Sequence, residues 1–128
     1  WRDALAAAGL EPGPSVEAPF TLAGGREAGH ALLAHDAPDA VFTASDEQAA
    51  GLLRAAHELG LRVPQDVAVV AFDGTRTAEH TVPALTVVAQ PLDEVATRAI
   101  EAATAGDRAP ARHVVELSLT RRASCGCP

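Results

Sequence analysis

The sequence predicts an α/β domain, a parallel sheet flanked by helices. Three observations carry that expectation. Val69-Val70 within Val67 to Phe72, and Val41-Phe42 within Ala40 to Ala44, show no polar face, as expected of strands buried on both sides. Between them, Ala49, Leu52, Leu53, Ala56 and Leu59 recur at i, i+3, i+4 and i+7 spacing, the stripe of an amphipathic helix. Strands that alternate with helices need crossover connections, and those favour parallel pairing.

The remaining elements follow in order. Trp1 to Ala8 is Ala-rich and helical, with Gly9 placed for a C-cap. Glu11-Pro12-Gly13-Pro14 cannot continue that helix. Val16 to Ala18 is a candidate short strand that breaks at Pro19, and Ala23 to Ala34 forms a second helix. Asp36-Ala37-Pro38-Asp39 turns into the Ala40 strand. Ser45 and Asp46 are both good N-caps for the striped helix, which Gly60 ends. Val67 to Phe72 is followed by a polar stretch, Gly74 to Thr81, and by the strand Thr86 to Ala89. Pro91 can open a helix at no cost to its hydrogen bonding; Leu92, Val95 or Ala96, Ala99 and Ala103 give that helix an apolar stripe up to Gly106. His113 to Leu119 is the last expected strand.

Composition narrows the function. At 128 residues the chain can bury a real core, and 48% hydrophobic with 21% charged residues argues against disorder. No apolar run approaches a bilayer span, and Trp1-Arg2-Asp3 is no signal peptide, so the expected location is cytoplasmic. A start without Met, on helical residues, reads as a fragment of something longer. All ten basic residues are Arg, scattered among 17 acids, for a net charge of −7; this argues against direct contact with DNA by these residues. Cys125 and Cys127 are expected to be reduced thiols in a frayed terminus, since a bridge across one residue is strained and a metal needs more ligands than two.

Catalysis is not expected. There is no Gly-x-Ser-x-Gly elbow and no phosphate loop, and the five His show no metal-binding pair. Asp46 and Asp73 could share acid–base work, but nothing else supplies a nucleophile or an electrophile. No cofactor or metal is expected.

A binding site is better supported, because open parallel sheets bind ligands beyond the carboxyl ends of their strands. Phe20 follows the Val16 segment, Ser45-Asp46 follows the Ala40 strand, and Asp73-Gly74 follows the Val67 strand. Together they offer an aromatic plate, a hydroxyl and two carboxylates. Each also has a plainer reading. Phe20 could be core, Asp46 is mainly a helix cap with Ser45 as the contact, and Asp73 is equally suited to an Asx-turn into Gly74 to Thr77.

The run PDAVFTASDEQAAGLLRAAHELGLRVPQDVAVVAFDG, with VPALTVVAQP, resembles the effector-binding domain of the LacI/GalR (lactose-repressor) family of transcription regulators. Pro38 to Asp46 is similar to that family's P-x-A-[IV]-F-x-x-N-D, Gly60 to Val67 to its G-L-x-V-P-x-D-V, and Pro83 to Pro91 to its most diagnostic run. The likeness extends over essentially the whole chain. It implies a periplasmic-binding-protein-like (type I) fold of two lobes around an effector cleft, with this chain forming mostly the C-terminal lobe. Residues 1–85 and 109–122 would belong to that lobe, 86–108 would be a hinge crossing and a helix of the N-terminal lobe, and 123–128 a tail. Most of the N-terminal lobe and the DNA-binding helix-turn-helix are absent from these residues.

The resemblance also implies roles. Phe20 would be the plate that stacks on a sugar or a base, and Asp73 the effector-binding carboxylate. Ser45 stands where the family often has Asn; Asp46 would be the cap. Ala49, Ala50, Leu53, Arg54 and Thr81 fall in regions that pair two lobes, which makes them candidates for a homodimer interface. The function implied is sensing of a small molecule, a carbohydrate above all, that controls DNA binding elsewhere in the protein. The alternative is a sugar-binding protein of an importer. With its usual partners missing, the Pro91 to Gly106 helix is expected to fold back on the lobe or to pair with a second copy.

Overall fold

The computed structural model describes residues 1–35, 37–106 and 112–127. Asp36 of the expected turn, the expected lobe junction at 108–109 and Pro128 lie outside the described residues. The elements are α1 Arg2–Ala7, α2 Leu22–Leu33, β1 Ala40–Phe42, α3 Asp46–Glu58, β2 Ala68–Asp73, α4 Arg76–His80, β3 Thr86–Ala89, α5 Leu92–Thr104 and β4 Ser118–Thr120, with a 3-10 turn over Ala123–Cys125. They form one sheet in the order β1-β2-β3-β4. β1 and β2 pair in parallel with Val41 opposite Val69, and β2 and β3 likewise with Phe72 opposite Val88. β4 returns antiparallel along β3, with Leu119 opposite Val88, so the sheet is mixed.

Three sequence expectations change. Val16 to Ala18 is not a strand: prolines bracket it at 14 and 19, and it has no ladder partner. The polar stretch after β2 contains the short helix α4. The last strand contracts to Ser118–Thr120.

The core joins Leu33 of α2 and Ala49, Leu52, Leu53 and Ala56 of α3 to Val67, Val69, Ala71, Ala78, Leu85 and Val87. Along β2, Val69 and Ala71 are fully buried, while Val70 and Phe72 are only half-buried. That alternation replaces the expected two-sided burial. The two long helices touch backbone to backbone, since a Cβ on Gly25 would collide with the Gln48 main chain and one on Gly51 with the Leu22 carbonyl. An ion cluster closes the far end of the pair. Glu58 meets Arg26 and His30 of α2 and Arg54 of its own helix, at 2.8, 2.8 and 2.6 Å. Hydrogen bonds from Arg54, His30 and Arg26 hold its carboxyl at about 2, well below the ordinary glutamate value.

Helix α5 has no buried residue; Leu92, Val95 and Ile100 are all exposed. Of the two expected arrangements, folding back on the rest of the chain is not the one adopted. Its stripe is instead left bare beyond the carboxyl end of β3.

The tail is not frayed either. Ser124 is fully buried, and its hydroxyl accepts from the Thr86 N–H at 2.8 Å while donating to the Val69 carbonyl at 2.6 Å. Thr86 Oγ1 in turn accepts from the Arg122 N–H, and the Arg122 guanidinium donates to the Leu85 carbonyl and to Glu79. The tail therefore laces β2 to β3 where the two strands begin, and Thr86 to Ala89 are full members of this sheet. Ser124→Ala would strand a buried donor and a buried acceptor together. We expect it to lower unfolding stability by about 2–4 kcal/mol, read from urea denaturation with circular dichroism, without changing the folded spectrum.

Candidate functional site

The three parallel strands place their carboxyl ends side by side, and each end is followed by polar residues. β1 leads through Thr43 and Ala44 to Ser45 and Asp46, β2 ends in Asp73-Gly74-Thr75, and β3 runs into Gln90-Pro91.

Ser45 is the N-cap of α3. Its backbone is extended, and its hydroxyl accepts from the Gln48 N–H at 3.2 Å. The cap thus falls on Ser45 and not on Asp46, and a hydroxyl expected to meet ligand lies buried in the cap instead. The sequence offered two good caps in succession, and either choice satisfies the local spacing. What separates them is a partner far along the chain. Asp46 is 1% exposed, and its Oδ2 accepts from both the Thr75 N–H, at 2.6 Å, and the Thr75 hydroxyl, at 2.7 Å. A carboxylate in the first turn of a helix also sits favourably against the helix dipole. Its other oxygen, Oδ1, is buried with no partner among the described residues. Asp46 thus tethers the start of α3 to the segment that opens α4.

Asp73 is half-buried, and its φ is 123°, a value rare outside glycine. Gly74 follows at φ 77°, with Ala89 so close that an added Cβ would lie 2.6 Å from its side chain. Two bonds hold this strained corner. The Gln90 side-chain amide donates to Asp73 Oδ1 at 2.8 Å, and the Gln90 N–H donates to the Asp73 carbonyl at 3.0 Å. The Asx-turn reading fails, because the nearby Thr75 N–H is already committed to Asp46. Oδ2 of Asp73 accepts nothing from the described residues.

Phe20 is 67% exposed, which removes the core reading. Gln48, in the first turn of α3, donates its amide to the carbonyls of Ala18 and Pro19 at 2.9 and 3.2 Å, so the chain just before Phe20 is pinned to the helix that Ser45 caps. Next to the Asp73 corner, an open depression of about 490 Å³ is lined by Gly74, Gln90, Pro91, Leu92, Asp93 and Glu94. Gln48, Thr75 and Gln90 were not singled out as site residues from sequence. Gln90 stood in the diagnostic run, and its spacing from Asp73 gave no local signal.

A second shallow depression, about 310 Å³, lies between α3 and the turn after α4 and is lined by Ala50, Leu53, Arg54, His57, Thr81 and Val82. Four of the five residues expected at a pairing surface line it. The fifth, Ala49, has no exposed surface and belongs to the core. Val82, at its rim, is 92% exposed. Among the described residues no cluster of His, Cys, Asp and Glu could hold a metal ion, and no helix is long and apolar enough to cross a membrane.

Residues 1–125 match the family model of the periplasmic binding protein-like domain. The chain belongs to that family. Within it, the relatives are LacI-type transcription regulators. The ribose operon repressor of Escherichia coli is 39% identical over 104 residues, covering 79% of this chain and 32% of the repressor. The structure of the transcriptional regulator CelR in complex with cellobiose superposes with a TM-score of 0.85 at 40% identity, over 96% of this chain and 40% of that one. The lac repressor dimer bound to operator and an anti-inducer gives a TM-score of 0.86 at 26% identity, over 98% of this chain and 45% of that one. The chain thus spans about a third of the curated repressor. In this LacI-type chain the Asp46 tether is a structural joint. Asp46→Ala would remove one acceptor from two Thr75 donors, and we expect a loss of about 1–3 kcal/mol, measured by thermal unfolding, with Asp46→Asn intermediate.

Proposed function

We propose that this chain is the sensing lobe of a LacI-type transcription regulator that binds a neutral carbohydrate at the carboxyl ends of β1 to β3. The observation that carries the proposal is Asp73. It is half-buried, held in a strained backbone by two bonds to Gln90, and has one carboxylate oxygen unengaged among the described residues. An ionised carboxylate fixed in this way accepts from sugar hydroxyls without reorganising, and exposed Phe20 offers a flat apolar surface for the C–H face of a ring. Ser45 contributes by ordering the first turn of α3, which holds the approach to Phe20 through Gln48. The regulatory names of the relatives, and the cellobiose complex of CelR, support a regulator over an importer's binding protein.

In this reading residues 1–85 and 109–122 belong to the lobe together with β3 and the Ser124 tail, which its sheet holds, and α5 belongs with a second lobe that closes over the ligand. The protein is cytoplasmic and does no chemistry on its effector. It pairs with a second copy through the depression at Ala50, Leu53, Arg54 and Thr81; the dimeric state of the lac repressor structure supports pairing as such. A ligand that binds the closed cleft better than the open one shifts the lobes by that difference in affinity, and operator binding by an attached DNA reader follows through linkage.

The test is calorimetry of the full-length regulator against a panel of pentoses, hexoses and disaccharides, followed by Asp73→Ala. A hydrogen bond to a charged acceptor contributes about 1.5–3 kcal/mol, so the best ligand should bind roughly ten- to a hundredfold more weakly to the variant. Unchanged affinity would remove Asp73 from the site.

A further inference from the structure

Cys125 and Cys127 are the two cysteines of the sequence, and the fold does not leave them as stray terminal thiols. Ser124 is locked between Val69 and Thr86, which fixes the position of Cys125 one residue later. Gly126 then turns in the left-handed region, φ 65°, close against Pro64, and folds Cys127 back over Cys125. The Cys127 N–H donates to Cys125 Sγ at 3.2 Å, and the Cys127 thiol lies 3.8 Å from the Cys125 carbonyl oxygen. Cys125 is half-buried and Cys127 exposed, so small reagents can reach the pair.

We propose that Cys125-Gly126-Cys127 is a reversible thiol–disulfide site, oxidised by small-molecule disulfides to a bridge that spans the glycine. The surroundings distinguish the two thiols. Partial burial pushes the Cys125 thiol up, but hydrogen bonds from the Cys127 thiol, from Thr86 and from the Cys127 N–H outweigh it and bring it below the usual cysteine value. Cys127 is pushed up by its hydrogen bond to Cys125, with lesser contributions from desolvation and from the charge on Cys125. The thiolate is the attacking form, so Cys125 is the nucleophile and Cys127 resolves.

In the first step the Cys125 thiolate attacks one sulfur of the small disulfide. The S–S bond breaks, one small thiolate leaves and takes up the proton that Cys125 had lost, and a mixed disulfide remains on Cys125. In the second step Cys127 gives up its proton and attacks Cys125 Sγ, expelling the second small thiol. Two protein thiols are oxidised to one disulfide, and one small disulfide is reduced to two thiols. A bridge across one residue closes a small strained ring, and strained exposed bridges are the ones that reducing thiols reopen. A metal is a poorer occupant, because among the described residues no third ligand joins the two sulfurs.

The purified chain would be equilibrated across glutathione buffers from fully reduced to fully oxidised, quenched in acid, alkylated and weighed intact. The expected result is a single step from a doubly alkylated species to an unalkylated one that is two hydrogens lighter than the reduced, unmodified chain, restored by dithiothreitol. Cys125→Ser and Cys127→Ser should each abolish that step and accumulate one glutathionyl group. The proposal is overturned if the unsubstituted chain carries two glutathionyl groups, if it links to a second copy, or if both thiols stay alkylatable throughout.

Discussion

Parallel pairing of β1, β2 and β3 is the constraint on which the rest of this lobe depends. Because the three strands point the same way, their carboxyl ends share one edge, and the residues that follow them meet there although they are far apart in sequence. The same pairing requires a connection across the sheet between each pair of strands. α3 provides the first, and its N-terminus therefore opens at that edge beside Asp73. An antiparallel arrangement would have sent Asp46 and Asp73 to opposite ends.

The two ends of the sheet are secured by different means. At the amino end the tail reaches back, and Ser124, Thr86 and Arg122 exchange hydrogen bonds with backbone groups that the β2–β3 ladder leaves over. At the carboxyl end the links run from side chain to loop, Asp46 to Thr75 and Gln90 to Asp73. A buried carboxylate such as Asp46 is costly unless it is well bonded, and two short bonds from one threonine offset part of that cost. The strain at Asp73-Gly74 is confined to two residues and braced from β3. A corner held in this way aims the oxygen that accepts nothing from the described residues in one direction, and in the proposed site that would favour selection among hydroxyl patterns over mere attraction of ligands.

Much of this was legible in the sequence because it is local. The stripe from Ala49 to Leu59 and the apolar runs at Val41-Phe42 and Val67 to Phe72 fixed α3, β1 and β2, and the order of elements then placed Asp46 and Asp73 at strand ends. What could not be read depends on partners distant in sequence. Ser45 and Asp46 are interchangeable caps until Thr75 claims the aspartate. Asp73 suits an Asx-turn until Asp46, 29 residues away from Thr75, takes the Thr75 N–H that the turn would use. Ala49 fits an exposed interface as well as a core until the packing against β2 buries it. The tail looked frayed because nothing in Ser124-Cys125-Gly126-Cys127 signals a hydroxyl that bridges two strands. The direction of β4 was equally hidden, since nothing in Ser118 to Thr120 itself marks which way the strand runs along β3.

The central claim is that the Asp73 corner is a preassembled acceptor for a carbohydrate. A crystal structure of the full-length regulator with its tightest-binding sugar tests it most directly. The account predicts a ligand hydroxyl within about 3 Å of Asp73 Oδ2, with the Gln90 amide still bonded to Oδ1 and the Phe20 ring against the sugar. A ligand seated elsewhere, or an Asp73 carboxylate that meets only Gln90 in the complex, would contradict it.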